Sequence, residues 1–359
     1  MELIGSPLLL LDTPPATGNL YTTLVWTGQQ YLFVWRIFGT ESVLMQRIDA
    51  SGQAVGGNIR LRDYENACDV VWGGGRLGAV WVREHGARND LMFQAFDELG
   101  RPLVDPVTLR SSPDIAIDGS VLYGPRIAAI DGGFAIAWNE GGVAVATVNL
   151  DGRAMQQPVT AGARLAGTPP LSLSAAAGRI AVGFVDNGPP TAGARTGVMF
   201  ASTFSADLAP LGDASLDGEA LFGMAQVVAT DSGVLALWTH SSSPDARVRI
   251  ARLPPSGGDA TIADVAAPVA GPYRYLSPAA WNGDHVVVLW DGGNAGQTGL
   301  ALSRYAPSGE RQGASIDLPT AAAAARLYVT AHDGTVGFIW SEEVRGGYQV
   351  YFQLARSCP

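Results

Sequence analysis

The chain has 359 residues, of which 47% are hydrophobic and 16% are charged, so it can bury a large core and does not have the composition of a disordered protein. The formal net charge of −10 argues against a nucleic-acid-binding surface, because such surfaces need clustered cations. All 23 basic residues are arginine, which excludes Schiff-base and general-base chemistry by a lysine side chain and is typical of a bacterial genome of high GC content.

The first apolar segment, Ser6 to Leu11, precedes a pattern that the rest of the chain repeats. Each unit has an apolar strand, a turn with glycine, a second strand that ends in an aromatic residue, a third strand and a turn closed by glycine. The first unit shows all of these between Leu24 and Gly52. The aromatic residues that end the second strands, called anchors below, are Trp35, Trp81, Trp138, Phe184, Trp238, Trp290 and Trp340.

These seven units, with four short strands each, predict an all-β fold, a single seven-bladed β-propeller of four-stranded antiparallel blades over residues 1–359. Blade seven has room for only three strands, so we predict that residues 1–12 form a ring-closing strand that completes it. No segment is long enough for a stable helix, and we expect almost none. The predicted blades span approximately 19–62, 66–110, 123–161, 169–217, 222–267, 273–319 and 322–359.

Membrane and redox signals are weak. We find no apolar run of membrane-spanning length and no signal peptide at Met1 to Ile4, which leaves a cytoplasmic protein or a secreted one whose signal was removed. Cys68 falls on an inner strand of blade two and Cys358 after the last strand of blade seven. That separation argues against a disulfide.

The residues that follow the anchors are the first candidates for a site, because these turns and the inter-blade loops share one face of a propeller. Glu140, Asp186, His240 and Glu342 are candidate acid or base groups if the protein is an enzyme. The alternative is that turns after buried strands are polar in any protein. Candidate ligand-binding residues are Arg36, Tyr64, Arg83, Tyr273, Tyr275 and Asp291.

The two types of ligand-binding candidate have different alternatives. Arg36 and Arg83 can clamp a carboxylate or phosphate, or pair with nearby acids, which we favour. The tyrosines can stack on a sugar, a peptide or a planar ligand, or seal the interface between two blades.

Known metal and cofactor motifs are missing from the sequence. No Cys-x-x-Cys or His-Glu-x-x-His occurs, so we predict no metal site and assign no cofactor. The segment Gly73 to Gly78 matches a dinucleotide-binding pattern, but a strand follows it where that motif requires a helix.

The repeat resembles the seven-bladed propellers of many bacterial secreted or surface proteins, in which a Trp-x-Gly turn precedes a strand that ends in Trp. Trp26-Thr27-Gly28, Trp72-Gly73-Gly74 and Trp281-Asn282-Gly283 carry this resemblance, while blade four has lost the tryptophan. The diagnostic motifs of kelch, WD40 and lectin propellers are not found. The resemblance therefore implies a fold and no particular activity.

Two functions follow as hypotheses. The first is a binding propeller that recognises a glycan, a peptide, a small molecule or a protein through the loop face around the central channel. The second is a lyase, isomerase or hydrolase with acid and base groups at the channel mouth. A deep single pocket holding a carboxylate of raised pKa would favour the enzyme, and repeated shallow sites between blades would favour a lectin.

Overall fold

The computed structural model of the protein describes residues 1–13, 20–37, 42–63, 68–116, 124–161, 171–186, 196–242, 245–254, 260–264, 278–291, 299–319, 324–344 and 347–356. These residues form strands and turns and contain no helix. The strands are β1 (Glu2–Asp12), β2 (Leu20–Trp26), β3 (Gln30–Ile37), β4 (Ser42–Asp49), β5 (Ala54–Asp63), β6 (Cys68–Gly73), β7 (Arg76–His85), β8 (Arg88–Phe96), β9 (Val107–Ser112), β10 (Arg126–Ile130), β11 (Gly133–Asn139), β12 (Val143–Asn149), β13 (Val159–Ala161), β14 (Leu171–Ala176), β15 (Arg179–Asp186), β16 (Thr196–Ser205), β17 (Pro210–Thr230), β18 (Gly233–Ser242), β19 (Asp245–Leu253), β20 (Thr261–Asp264), β21 (Ala279–Trp281), β22 (Val286–Asp291), β23 (Gly299–Tyr305), β24 (Ile316–Pro319), β25 (Ala324–His332), β26 (Thr335–Val344) and β27 (Gly347–Arg356).

The strands make seven four-stranded antiparallel blades in a ring, which confirms the predicted β-propeller. Blades one, two, three and six are β2–β5, β6–β9, β10–β13 and β21–β24. Blades four and five share β17, whose first half pairs with β16 and whose second half pairs with β18. One continuous strand therefore connects two blades, whereas the predicted blades four and five are separated between residues 217 and 222.

The N-terminal strand completes blade seven, as predicted. Strand β1 pairs antiparallel with β27, so the blade has the order β1-β27-β26-β25. The register shifts between Ile4 and Leu8, around Pro7, a residue that an edge strand tolerates because its outer side needs no amide donor. Both ends of the chain thus contribute to the same blade, and this closes the ring.

Apolar packing lies between the blades, because each sheet buries both faces against its neighbours. The described residues form seven hydrophobic clusters, one at each seam between adjacent blades. At the closing seam, a Cβ on Gly337 of blade seven would lie 2.5 Å from Cε1 of Tyr31 of blade one, so only glycine allows this approach. The anchors with described side chains, such as Trp35 and Trp238, are almost fully buried in these clusters.

Candidate functional site

The seven inner strands surround a central channel. Strands β2, β6, β10, β14, β21 and β25 and the second half of β17 all contribute residues to a cavity of about 370 Å³. These strands begin on the side of the inter-blade connections, called the loop face below, and end at the tight turns on the opposite side. The cavity therefore runs along the propeller axis and is shared by all blades.

One position on each inner strand recurs around the channel. It lies twelve residues before the anchor of its blade, as Asp69 lies before Trp81, and it pairs with the residue just before the anchor where that register is described. Six of the seven residues at this position are polar or ionisable. This set, called the channel ring below, consists of Thr23, Asp69, Arg126, Ser172, Gln226, Pro278 and Tyr328.

Side chains of the channel ring form hydrogen bonds with backbone groups of the next blade. Ser172 Oγ accepts from the amide of Val227 at 3.0 Å, and Gln226 Oε1 accepts from the amide of Ala279 at 2.7 Å. Arg126 instead donates from Nε to the carbonyl oxygen of Leu171 at 2.8 Å. The open edge of an inner strand exposes backbone amides and carbonyls to the channel. The ring side chains thus provide hydrogen-bond partners for some of these groups.

A phenol, a carboxylate and a guanidinium come together where blades one, two and three meet. The hydroxyl of Tyr21 donates to Asp69 Oδ1 at 3.1 Å, and the amide of Ile127 donates to Asp69 Oδ2 at the same distance. Tyr328 of blade seven is hydrogen-bonded to Thr23 and Tyr21. We call Tyr21, Asp69, Arg126 and Tyr328 the channel cluster.

Burial dominates the electrostatics of the channel cluster. It raises the pKa of Asp69 above the usual range, although Arg126, the Ile127 amide and Tyr21 oppose it. Burial and the nearby Asp69 raise the pKa of Tyr328 to about 12, so this phenol is neutral near pH 7. Burial opposes the charge of Arg126, but Asp69, Tyr328 and Tyr21 together outweigh burial, so the pKa of the guanidinium is raised and it stays charged. The cluster therefore combines a compensated ion pair with neutral phenols.

The thiol next to the channel cluster is not activated. Cys68 is buried and free, and burial together with Asp69 raises its pKa to about 12, despite the positive charge of Arg36. A thiol of such high pKa is a poor nucleophile. Cys358 lies outside the described residues, so the structure does not describe the relation of the two cysteines.

Two of the predicted acids are held by the anchors of their own blades. Trp138 Nε1 donates to Glu140 at 2.9 Å, and Trp340 Nε1 donates to Glu342 at 3.0 Å. In blade one the residue at this spacing is Ile37, and Trp35 Nε1 has no hydrogen-bond partner among the described residues. The acid two residues after the anchor thus satisfies a buried indole.

Glu140 also forms an ion pair across the seam between blades two and three. Its Oε1 lies 2.8 Å from Nη2 of Arg110, which is on the outer strand β9. Burial would raise the pKa of Glu140, but the hydrogen bonds from Arg110, Trp138 and Ser112 outweigh it and lower the pKa. A carboxylate of lowered pKa is a weak proton donor near neutral pH.

The other predicted residues have separate positions. Arg83 pairs with Asp90 at 2.8 Å, an ion pair within blade two. The Nδ1 atom of His240 lies 3.3 Å from Nη1 of Arg249. Arg36 is buried opposite Tyr21 in the register of β2 and β3, so it lies behind the channel cluster.

The remaining predicted residues lie wholly or partly outside the described part of the chain. Asp186 ends β15 and Asp291 ends β22, and the side chain of Asp291 is not described. Tyr64, Tyr273 and Tyr275 lie outside the described residues. In the described part of the chain, no three acidic, histidine or cysteine side chains form a group suited to a metal ion. The same part contains no helix long and apolar enough to cross a membrane.

The channel end opposite the loop face carries a histidine between two aromatic residues. The imidazole of His332 stacks on the indole of Trp26, with ring centroids 3.7 Å apart and planes 2° from parallel. Its Nε2 lies 2.8 Å from the hydroxyl of Tyr31. Burial lowers the pKa of His332, although the charge of Asp333 opposes this.

We expect acid to destabilise the protein through His332. Because the folded state holds the pKa below the ordinary value of 6.5, the unfolded chain takes up the proton first as the pH falls. The contribution of His332 to the stability of the folded state is therefore fully present above about pH 6.5 and decreases below it. Urea unfolding between pH 5 and 8 should show a smaller loss of stability on acidification in His332→Gln than in wild type. Equal pH dependence of the two proteins would contradict the assignment.

Comparisons with known proteins agree on the fold. No protein-family model and no curated protein matches the sequence. Among solved structures, the polysaccharide lyase Uly1 is similar with a TM-score of 0.59 and 10% identity, over 98% of this chain and 92% of that chain. A subtype N10 neuraminidase-like protein of A/little yellow-shouldered bat/Guatemala/060/2010 has a TM-score of 0.52 and 10% identity, over 100% and 99%. The β-propeller domain of the trilobed protease from Pyrococcus furiosus has a TM-score of 0.52 and 7% identity, over 97% of both chains. At such low identities the likeness shows the fold, and the chain is a seven-bladed β-propeller.

Proposed function

We propose that the protein is a ligand-binding propeller that takes its ligand from the loop face into the central channel. The observation that carries this proposal is the cavity of about 370 Å³, which has the channel cluster in its wall. Binding sites are typically concave, largely apolar and provided with a few well-placed polar groups. Leu24 and Val70 provide apolar wall here, and Tyr21, Asp69 and Tyr328 provide polar groups.

The form of the cavity supports one asymmetric site over several equivalent ones. The channel ring has a different residue in every blade, so a ligand meets a different chemical group on each side of the channel. A glycan, a peptide, a small molecule or a loop of a protein partner can enter such a channel. Loop-face residues, including Tyr64, Tyr273 and Tyr275, are proposed to contact the part of the ligand that stays outside.

A ligand screen with two matched tyrosine variants tests this proposal. Acidic and neutral oligosaccharides, sialylated glycans and peptides are screened by thermal shift, because a ligand at 100 times its Kd stabilises by about 2.7 kcal/mol. We expect Tyr328→Phe to weaken binding of a hit by roughly two- to tenfold, the usual effect of one lost hydrogen bond.

Tyr305→Phe is the control. Tyr305 is also buried, but it packs at the seam of blades five and six and does not line the cavity. Equal losses of affinity in the two variants would place the ligand outside the channel. A ligand that binds both variants as tightly as wild type would lead to the same conclusion. No stabilisation by any member of the panel would also count against the proposal.

A second candidate function is an enzyme that uses Asp69 as acid or base. The supporting observation is that burial raises the pKa of Asp69 inside a single channel, which is typical of functional carboxylates. The test is incubation with acidic polysaccharides and sialylated glycans, followed by detection of new chain ends. Turnover that falls by about 10²–10⁴ in Asp69→Asn, in protein that still folds, would favour the enzyme. Binding without turnover would favour the first proposal.

A further inference from the structure

The channel ring leaves a gap in its bonding of backbone amides. In three seams a ring side chain accepts from the amide that follows the ring residue of the next blade. The acceptors are Asp69, Ser172 and Gln226, and the donors are the amides of Ile127, Val227 and Ala279. These amides point into the channel, because they bond side chains of a neighbouring blade and not the second strand of their own blade.

The equivalent amides in blades one and seven belong to Leu24 and Val329. Leu24 pairs with Phe33 and Val329 with Phe338, each two residues before the anchor, which is also the register of Ile127 with Ile136. The two amides therefore point into the channel as well, and both residues line the cavity.

The chemistry of the channel ring explains why these two amides remain available. The ring residue that faces Val329 is Pro278, which has no side-chain acceptor. The ring residue that faces Leu24 is Tyr328, whose hydroxyl is bonded to Thr23 and Tyr21. Within the described part of the chain, no side chain accepts from either amide.

The remaining two blades differ from this pair. The amide of Val70 in blade two contacts Asp69. The amide of Leu173 in blade four faces Arg126, a donor, and lies away from the other two. Only blades one and seven therefore place available donors side by side among the described residues.

Donors without acceptors select for an anionic oxygen group. Both oxygens of Asp69 already accept hydrogen bonds, and Arg126 compensates its charge, so the wall of the channel near these amides carries no net negative charge. A planar carboxylate can accept from two neighbouring amides at once. We propose that the amides of Leu24 and Val329 bind the carboxylate of an acidic ligand, an inference that rests on the proposed function of the channel.

Acetate is the probe for this site, and acetamide is its neutral isostere. Amide resonances of the full chain are followed by NMR during titration with each compound at constant ionic strength. We expect acetate to move the resonances of Leu24 and Val329 saturably and to leave those of Ile127, Val227 and Ala279 in place. Equal effects of acetamide, or no selective effect of acetate, would overturn the proposal.

Two variants give an independent test. Pro278→Gln introduces the acceptor that Gln226 provides at the previous seam, so it should occupy the Val329 amide and weaken acetate binding by about tenfold. Tyr305→Phe changes a buried residue that does not line the cavity, and it should leave acetate binding at Leu24 and Val329 unchanged. Equal affinity for acetate in wild type and Pro278→Gln would contradict the proposal.

The two proposals fail in different ways. A ligand from the screen that binds in the channel while acetate moves neither amide would leave the binding function intact and remove the carboxylate site. Selective acetate binding without any hit in the screen would leave the carboxylate site intact and count against the oligosaccharide and peptide ligands.

Discussion

Deletion of residues 1–12 should abolish cooperative folding or lower the melting temperature by more than any single substitution. Strand β1 is the fourth strand of blade seven, and its removal exposes the edge of β27 and opens the ring. Ile4, Leu8, Leu10 and Leu11 pack partly buried against the cluster at the seam of blades seven and one. Their loss costs about 4–6 kcal/mol by burial alone, comparable with the whole stability of a typical domain.

Thermal unfolding followed by circular dichroism measures this effect, and two paired variants separate its causes. Leu8→Ser with Leu10→Ser removes inward packing, whereas Leu3→Ser with Leu9→Ser changes residues that are 39% and 46% exposed. Only the first pair should destabilise strongly. A synthetic peptide of residues 1–13 should restore part of the melting temperature of the truncated chain. An unchanged melting temperature after deletion would refute the ring-closing role.

The fold was predictable because the anchors are physically constrained. An aromatic residue that ends each second strand fills the seam between two blades, and this requirement repeats with the blade. Counting four strands per blade also predicts that blade seven takes its fourth strand from the N-terminal segment, because only three strands fit after blade six. The continuity of β17 was not, since a strand that leaves one sheet and enters the next has no different composition from two separate strands.

The channel cluster is absent from the predicted site, because the predicted residues follow the strands, at the points where loops begin. The cluster lies inside strands, where Asp69 and Arg126 look like isolated polar residues within apolar segments. Their common distance of twelve residues from the anchors Trp81 and Trp138 was the available signal, because the first hairpin has a constant length in every blade. Pairing of Glu140 with its anchor tryptophan had no such signal, since it depends on side-chain direction.

Asp69→Ala should destabilise the protein by about 3–5 kcal/mol, the usual result of removing one partner of a buried charge pair. The substitution leaves the charge of Arg126 without its opposite charge, and it leaves the hydroxyl of Tyr21 and the amide of Ile127 without the acceptor that they share. Urea unfolding at pH 7 measures the loss. Asp69→Asn should cost less, because its amide oxygen can still accept one of these hydrogen bonds.

Asp151→Ala is the matched control for this prediction, because Asp151 also pairs with an arginine but at the surface. Its Oδ1 lies 2.6 Å from Nη1 of Arg76, and the two side chains are 50% and 30% exposed, so the pair is screened by solvent. We expect a cost of at most about 1 kcal/mol. Removal of both Asp69 and Arg126 should be less destabilising than the sum of the single changes, since neither charge is then left alone. Additive losses would show that the two residues stabilise the channel independently, and the channel cluster would then not be a coupled unit.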